Sequence, residues 1–270
     1  MKRKLLTCLL LLAVLIMSSS ALAWDTPCID EPYDYSYNDD TRSIAIKKYT
    51  GDKSVCFVVD VQISDATGFN AEVSPDQFRT LSSMAQSVGA VLAINADDYN
   101  THKYGIIIRN GETLRVHDTT RHLLAVMSDG SFQTVSDPAA EVPEALAQRL
   151  QSENVLHTFE FGPVLVENYA ATTFPDDFDV ISTRDSRREP RTAIGMIAPN
   201  HYVILIVDGR QPGYSEGVSL QTLQEMFVKL GVQTAFNLDG GGSTELWFQG
   251  EILNSPAGGR ERKLSDFIWF

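Results

Sequence analysis

The hydrophobic positions of residues 74–88 recur with the spacing of a helix and are followed by a glycine. Ser74 is the predicted N-cap, with Pro75 at the first helical position and Gln77 completing a capping box. Gly89 is the predicted stop signal. The predicted apolar face consists of Phe78, Leu81, Met84, Ala85 and Val88.

The same arrangement recurs later in the chain. Residues 219–230 predict a second helix with Ser219 as N-cap and Gly231 as the stop. Its apolar positions are Leu220, Leu223, Met226, Phe227 and Leu230. Both helices are followed by a short apolar strand, at residues 90–94 and 232–236. Each strand leads into an Asn-x-Asp motif, formed by Asn95 and Asp97 in the first copy and by Asn237 and Asp239 in the second.

We interpret the two copies as an internal duplication whose Asn-x-Asp strand ends approach one another. Residues 106–112 and 246–251 extend the similarity, because both predict a strand and a tight turn. Residues 121–132 and 191–202 both begin with arginine and predict a hairpin. The alternative is a pair of independent helix–strand units, since glycine commonly follows a helix. The predicted fold class is α+β, a mixed β-sheet domain with a few packed helices.

The N-terminal 23 residues have the pattern of a secretory signal peptide. Basic residues precede an apolar run at residues 5–17, and small residues come before Trp24. We expect cleavage there and a location outside the cytoplasm, secreted or in the cell envelope, with no stable membrane span left. The alternative is a retained anchor. The rest of the chain is predicted to comprise an N-terminal arm, 24–54, and one domain, 55–270.

Two further segments lie between the duplicated units. Residues 136–154 predict one short amphipathic helix. Residues 168–189 are polar and longer than an ordinary loop, which predicts a lid.

Charge and cysteine content limit the partners. The formal net charge of -13 argues against nucleic acid. Cys28 and Cys56 remain after signal cleavage, and a disulfide between them is expected in an exported protein, the alternative being two inert thiols. No cysteine or histidine has metal-ligand spacing, so the histidines are predicted on the surface or in hairpins.

Acidic residues follow two of the predicted buried strands. Residues 202–207 are almost entirely apolar and end at Asp208. If residues 220–230 form the crossover helix of a βαβ unit, this strand and the strand before Asp239 are parallel in one sheet. Asp208 and Asp239 are then expected to stand close together at the edge where such sheets bind ligands.

The segment after Asp239 is suited to bind an anion. Gly240, Gly241 and Gly242 predict positive φ angles or close backbone approach, and their N–H groups with the Ser243 hydroxyl predict an anion nest. Arg191 and Arg210 are candidates for bidentate contacts with phosphate. Glu245, on an alternating strand, is predicted to face solvent.

Several ordered motifs resemble those of the phosphodiester glycosidase family, especially its bacterial members of the exopolysaccharide-biosynthesis type. The motifs lie at residues 95–99, 108–111, 161–166, 190–195, 201–210, 215–220, 237–243 and 260–268, within a likeness that covers about residues 55–270. The resemblance implies hydrolysis of a sugar-1-phosphodiester at the sugar carbon, as in the animal uncovering enzyme, which removes N-acetylglucosamine linked through phosphate to mannose. One departure is Ala96, where the family usually has glycine.

The resemblance also implies which residues act. The residues that match the family motifs are Asn95, Arg191, Asp208, Arg210, Asn237, Asp239, Gly240, Gly241, Gly242 and Ser243. Asp239 or Asp208 is expected to serve as nucleophile or as base for water. The others are expected to bind substrate or phosphate, together with Asp97, which aligns with Asp239 in the duplication.

Two rival functions remain open at this stage. A metal-dependent phosphodiesterase would use Asp208, Asp239 and Asn237 as oxygen ligands for Ca2+ or Mg2+ and cleave the P–O bond. A non-catalytic polysaccharide-binding module would keep the pocket without turnover. The preferred reading requires no cofactor, and its partner is a glycan or sugar-phosphodiester substrate.

Overall fold

A computed structural model describes residues 32–74, 78–174 and 187–270 of the chain. The predicted signal peptide, most of the predicted lid, Cys28, Pro75 and Gln77 lie outside the described residues. The α-helices are α1 (Leu81–Val88), α2 (Pro143–Ser152) and α3 (Leu220–Lys229). The strands are β1 (Tyr35–Asn38), β2 (Arg42–Gly51), β3 (Ser54–Ile63), β4 (Asn70–Val73), β5 (Arg79–Thr80), β6 (Leu92–Asn95), β7 (Ile106–Arg109), β8 (Glu112–Val116), β9 (Leu123–Met127), β10 (Phe132–Val135), β11 (Val155–Phe159), β12 (Val164–Glu167), β13 (Ala170–Ala171), β14 (Arg191–Ala198), β15 (His201–Val207), β16 (Thr234–Asn237), β17 (Leu246–Phe248), β18 (Glu251–Ile252), β19 (Lys263–Leu264) and β20 (Asp266–Trp269).

Two antiparallel sheets organise the molecule, and the predicted α+β class is confirmed. The larger sheet has eight strands in the order β1-β2-β3-β15-β14-β16-β12-β13. The smaller has five strands in the order β18-β17-β6-β20-β4. Three short groups complete the strands: β10-β9-β11, β19-β5 and β7-β8.

The main hydrophobic core lies between the two sheets, and the helices cover their outer faces. Alternation along β3 shows the division, because Val55, Phe57, Val59 and Val61 join the main core. Cys56 and Val58 point to the opposite face, where α3 packs through Leu220, Leu223, Met226 and Phe227. On the smaller sheet, α1 packs through Leu81, Met84 and Ala85 against Ala93, Trp247 and Phe267. The predicted amphipathic helix is α2, which packs against β7, β9 and β11.

The second predicted helix and both tight turns are confirmed. The Ser219 hydroxyl accepts a hydrogen bond from the Thr222 N–H, as an N-cap should. Asn110 and Gly111 join β7 to β8 with positive φ angles of 52° and 76°. Gln249 and Gly250 do the same between β17 and β18, with φ angles of 47° and 105°.

The predicted start of the first helix is wrong. Helix α1 begins at Leu81, with Thr80 as the N-cap that accepts from the Ser83 N–H, and Phe78 is 49% exposed. The N–H of Ser74 bonds instead to the carbonyl of Ser265, and β5 pairs with β19. Pairing with the C-terminal segment therefore keeps Arg79 and Thr80 extended.

The crossover prediction is correct in that the two strands are parallel, but they are not neighbours in the sheet. Helix α3 joins β15 to β16, but β14 lies between them and pairs antiparallel with both. Strands β15 and β16 are consequently parallel, and both end at the edge where β14 begins. Asp208 and Asp239 follow these ends and are separated by one strand, about 10 Å at ordinary strand spacing.

The two Asn-x-Asp strand ends do approach one another. The Asp239 N–H donates to the carbonyl of Ala96 over 2.8 Å, and the Asn95 side-chain amide donates to the carbonyl of Asp239. Strand β6 belongs to the smaller sheet and β16 to the larger one, so the contact joins the two sheets. Common ancestry of the two units remains a prediction.

Part of the predicted N-terminal arm belongs to the larger sheet. Strands β1 and β2 lie within the predicted arm and extend this sheet, with Ile44 and Ile46 fully buried in the main core. Cys56 is buried, and burial raises the pKa of its thiol. Its predicted disulfide partner, Cys28, lies outside the described residues, so the pairing stays a prediction. Among the residues described, no helix has the length and apolar character needed to cross a membrane.

Candidate active site

The Asn95 side chain forms hydrogen bonds that link the two sheets. Besides its donated bond to the Asp239 carbonyl, its Oδ1 accepts from the Thr192 hydroxyl at 2.7 Å and from the Glu245 N–H at 3.2 Å. The side chain is 1% exposed. These hydrogen bonds hold the Asn95 side chain at the junction, and its predicted role in binding stays a prediction. The close approach at Ala96 is made despite the missing glycine.

Asp239 presents a part-buried carboxyl group at this junction. Its Oδ1 accepts from the Gly240 N–H at 2.8 Å. Burial raises the pKa of Asp239 to about 7. A hydrogen bond from Ser243 opposes this shift, the negative charge of Asp98 reinforces it, and Arg262 opposes it. The group is thus divided between acid and carboxylate at neutral pH.

Asp208 has a different environment, although it follows the parallel strand. Its Oδ1 accepts from the Asn254 amide at 2.9 Å and from the Ser255 N–H at 3.1 Å. Its Oδ2 accepts from the Tyr214 hydroxyl and from the Ser255 N–H, both at 3.0 Å. Burial raises the pKa of Asp208, and these hydrogen bonds oppose that shift. Both oxygens are therefore occupied by protein donors.

Three N–H groups of the glycine segment after Asp239 are bonded within the protein and are not open to an anion. The N–H of Gly240 bonds to the Asp239 carboxyl group, that of Gly241 to the Pro190 carbonyl and that of Ser243 to the Gly240 carbonyl. The predicted close approach is correct, because a Cβ at Gly240 would lie 2.8 Å from the Pro190 oxygen. Gly241 has a φ of +61° and lies under the Arg210 guanidinium.

The other predicted binding residues are largely held by the protein. Arg191 is buried and donates to the carbonyls of Val218 and Arg187, each at 3.1 Å. Arg210 forms an ion pair with Glu189. Asn237 donates to the Gly162 carbonyl at 2.7 Å, while its buried Oδ1 has no partner among the described residues.

Asp97 belongs to an acidic cluster that sequence reasoning missed. We define the acidic cluster as Asp97, Asp98, Glu160 and Asp266. The Asp97 carboxyl group accepts from the Glu160 N–H at 2.9 Å, and its own N–H donates to Asp266 at 3.1 Å. Asp98 contacts His102 at 2.8 Å and, through its charge, raises the pKa of Asp239. The acidic cluster therefore adjoins Asp239 through Asp98.

Burial sets the ionisation of the acidic cluster. It raises the pKa of Asp97 and of Asp266, and the positive charge of Arg109 opposes both shifts. Burial, followed by the charge of Asp97, raises the pKa of Glu160 to about 8. Arg121 is 4% exposed, lies 3.5 Å from Asp98 and has no hydrogen-bond partner for its terminal nitrogens among the described residues.

Glu245 and two histidines are buried, contrary to the sequence prediction. Glu245 has no exposed surface, and its Oε1 accepts from the Arg262 N–H. Burial raises the pKa of Glu245 to about 8. His122 and His157 are 5% and 1% exposed, and burial lowers the pKa of His157 to about 3.

Two cavities flank the site. One, of about 510 Å³, borders Arg121 and is lined by Tyr104, Ile106, His117, Asp118, Thr119, Thr120, Arg121, Pro138, Ala139, Glu141, Pro143 and Leu146. The other, of about 710 Å³, borders Gly242 and includes Arg260, Arg262 and Lys263. Arg262 also donates to the Ser243 hydroxyl at 3.4 Å. Arg262 lies within residues 260–268, one of the segments that resemble the family, and that resemblance could have identified it as a candidate site residue.

Asp208 is the least suitable of the three predicted metal ligands. Asp208 accepts hydrogen bonds with both oxygens, which leaves it poorly suited to bind Ca2+ or Mg2+. In the described part of the chain, no group of three or more His, Cys, Asp or Glu residues is arranged to hold a metal.

Comparisons with known proteins place this site in context. SPbeta prophage-derived uncharacterized protein YomE of Bacillus subtilis is 29% identical over 199 residues, which cover 70% of this chain and 29% of that protein. The chain thus spans less than a third of the length of that relative.

Two solved structures have the same fold at low sequence identity. The zebrafish N-acetylglucosamine-1-phosphodiester alpha-N-acetylglucosaminidase catalytic domain, auto-inhibited by its pro-peptide, is 16% identical with a TM-score of 0.64, covering 85% of this chain and 82% of that one. A hypothetical protein from Synechocystis is 15% identical with a TM-score of 0.68, covering 89% and 64%. The family model for phosphodiester glycosidase matches residues 88–270. The chain therefore belongs to the phosphodiester glycosidase family.

Proposed function

We propose that the protein is an exported hydrolase that cleaves a sugar-1-phosphodiester at the glycosidic carbon, acting on envelope or extracellular glycans. Membership of the family supports a hydrolase of this kind. The observation that carries the proposal is the Asp239 carboxyl group, part-buried at the junction of the sheets with a pKa of about 7. It borders the segment that lines a cationic cavity.

The proposed reaction matches the charges around Asp239. Phosphate is a better leaving group than a sugar hydroxyl, so the departing negative charge needs stabilisation more than the leaving oxygen needs a proton. The Asp239 carboxylate attacks the sugar carbon or removes a proton from the water that attacks it. The bond from that carbon to the phosphate oxygen breaks, and its electron pair leaves with the phosphate. Arg262, beside Ser243, supplies positive charge there.

Asp208 takes a supporting role in this proposal. Its contacts with Tyr214, Asn254 and Ser255 fix the chain at the edge of the larger sheet. Asn95 and Arg191 fix the neighbouring strand ends through their contacts with backbone groups. If Asp239 bonds to the sugar carbon, a water molecule then attacks that carbon, the bond to the carboxylate breaks and the proton of the water passes to solvent.

A product assay tests the reaction. The purified protein is incubated with UDP-N-acetylglucosamine and with the methyl phosphodiester of N-acetylglucosamine 1-phosphate, with and without EDTA. Free N-acetylglucosamine, unaffected by EDTA, is the expected product. Sugar 1-phosphate would instead support a phosphodiesterase, and loss of activity in EDTA would show that a metal takes part. Binding of either compound without any product would support a polysaccharide-binding module.

Export is tested separately. The full-length gene is expressed with its own leader, and the protein outside the cytoplasm is collected and its N-terminus sequenced. The proposal predicts a protein that begins at Trp24. Retention of the uncleaved chain in the membrane fraction would support the anchor alternative.

A further inference from the structure

The cavity beside Gly242 concentrates positive charge in a protein that is acidic overall. We call it the basic cavity; it is lined by Thr80, Gly242, Ala257, Gly258, Arg260, Glu261, Arg262 and Lys263. Three of the four residues at 260–263 are cations, whereas the whole chain has 22 Lys plus Arg and 35 Asp plus Glu. Long-range attraction of anions is therefore confined to a small part of the surface.

The cations of the basic cavity are available to a ligand. Arg260, Arg262 and Lys263 are exposed, and none forms an ion pair with another described residue. The single acid, Glu261, already accepts a hydrogen bond from the Ser82 N–H at 2.8 Å. In contrast, Arg191 and Arg210 donate to protein carbonyls and to Glu189. The basic cavity therefore offers three exposed cations beside Gly242.

The basic cavity is continuous with the proposed reaction site. Gly242 lies on its wall, and Arg262 reaches from it to the Ser243 hydroxyl and lowers the pKa of Asp239. A substrate whose sugar carbon lies at Asp239 would extend its leaving group past Ser243 into the cavity. Arg262, 3.4 Å from the Ser243 hydroxyl, would meet the scissile phosphate, while Arg260 and Lys263 flank it in the chain and line the same cavity.

We infer that Arg260 and Lys263 bind a second phosphate group of the substrate, next to the one that departs. This inference rests on the proposed function. A single phosphodiester carries one negative charge, which Arg262 alone can balance, so two further cations favour a leaving group with more negative charge. The substrate class is a sugar attached to a diphosphate or to successive phosphodiesters of a polymer. Both sources share two phosphates separated by a short distance.

Binding of pyrophosphate tests the inference without depending on hydrolysis. Isothermal titration is performed on the wild type, on the double variant Arg260→Gln/Lys263→Gln, and on a control, Arg42→Gln/Lys229→Gln, which removes the same charges at residues that do not line the cavity. The Kd is expected to rise at least about tenfold in the cavity variant, because charge-assisted hydrogen bonds are lost. The control should bind like the wild type. Equal affinity in all three proteins, or no binding to the wild type, would overturn the inference.

Two further experiments identify the source of the second phosphate. Pyrophosphate has adjacent phosphates, whereas glycerol 1,3-bisphosphate has them separated, so the tighter ligand indicates a diphosphate or a polymer. In kinetics, the cavity variant should raise KM for UDP-N-acetylglucosamine and leave KM for the methyl phosphodiester unchanged. Equal increases for both substrates would contradict a second phosphate contact. If no substrate is hydrolysed but pyrophosphate binding is lost in the variant, the proposed function fails and the anion site stands.

Discussion

The ends of β15 and β16 look alike in sequence and differ in structure. Each strand is apolar, and each is followed at the same sheet edge by aspartate, Asp208 in one case and Asp239 in the other. Asp208 is 1% exposed and holds donors on both oxygens, whereas Asp239 is part-buried with a pKa of about 7. The comparison teaches that two aspartates at equivalent strand ends can differ in how many protein donors occupy their carboxyl oxygens, which the sequence pattern does not reveal.

The most direct test of the difference between Asp239 and Asp208 is to remove the charge of each aspartate in turn. Asp239→Asn is expected to lower kcat by about 10²- to 10⁴-fold, because the attacking or proton-accepting carboxylate is lost. The change keeps the size of the side chain, so thermal unfolding should be little affected. Initial rates of sugar release measure the first effect. A variant with near wild-type turnover would remove Asp239 from the mechanism.

The pH dependence of kcat/KM tests the role of Asp239. Since the carboxylate is the active form and burial raises its pKa to about 7, kcat/KM should rise with pH up to that value. Below it, the rate should fall about tenfold for each pH unit. A pH–rate profile measures this limb. A flat profile between pH 5 and about 7 would contradict the assignment, whereas the residual activity of Asp239→Asn should lack the limb.

Asp208→Asn should reverse the pattern by affecting stability more than chemistry. The new amide group would face the N–H and O–H donors of Ser255 and Tyr214, leaving buried groups unpaired. The free energy of unfolding should fall by about 1–3 kcal/mol. Denaturant titration measures it. A variant that is fully stable and inactive would indicate that Asp208, rather than Asp239, performs the chemistry.

The smallest expected effect is a difference in stability between alanine substitutions at two glycines that follow Asp239. A Cβ at Gly240 would lie 2.8 Å from the Pro190 carbonyl oxygen, whereas at Gly242 its nearest neighbour is Arg262 at 3.6 Å. Gly240→Ala is therefore expected to cost about 1–3 kcal/mol of stability and Gly242→Ala less than that. Thermal unfolding of both variants tests the difference. Equal losses would show that close approach at Gly240 is not what requires glycine.

The sequence predicted those features that depend on neighbouring residues. Helix α3 follows from its own apolar spacing and from the Ser219 cap, and the turn at Asn110 and Gly111 follows from their φ preferences. The start of α1 was mispredicted because Ser74 bonds to Ser265, a partner from the end of the chain. Local capping signals carry no information about that contact.

The site was predictable in its residues more than in their roles. Asn95, Asp239 and Ser243 do meet, because strand ends from the two sheets are joined there. The burial of Glu245 was not predictable, because β17 after it lies in the interior of the smaller sheet, with Phe248 in one core and Trp247 in another. Alternation identifies the two faces of a strand but not which of them is covered.

The central claim is that the bond to the sugar carbon breaks while the phosphorus is left intact. Hydrolysis of UDP-N-acetylglucosamine in water enriched in oxygen-18 tests it directly, with mass spectrometry of the phosphate product. The account predicts UDP without any label, because water adds to the sugar. Label in a phosphate product, accompanied by N-acetylglucosamine 1-phosphate, would contradict it and show attack at phosphorus.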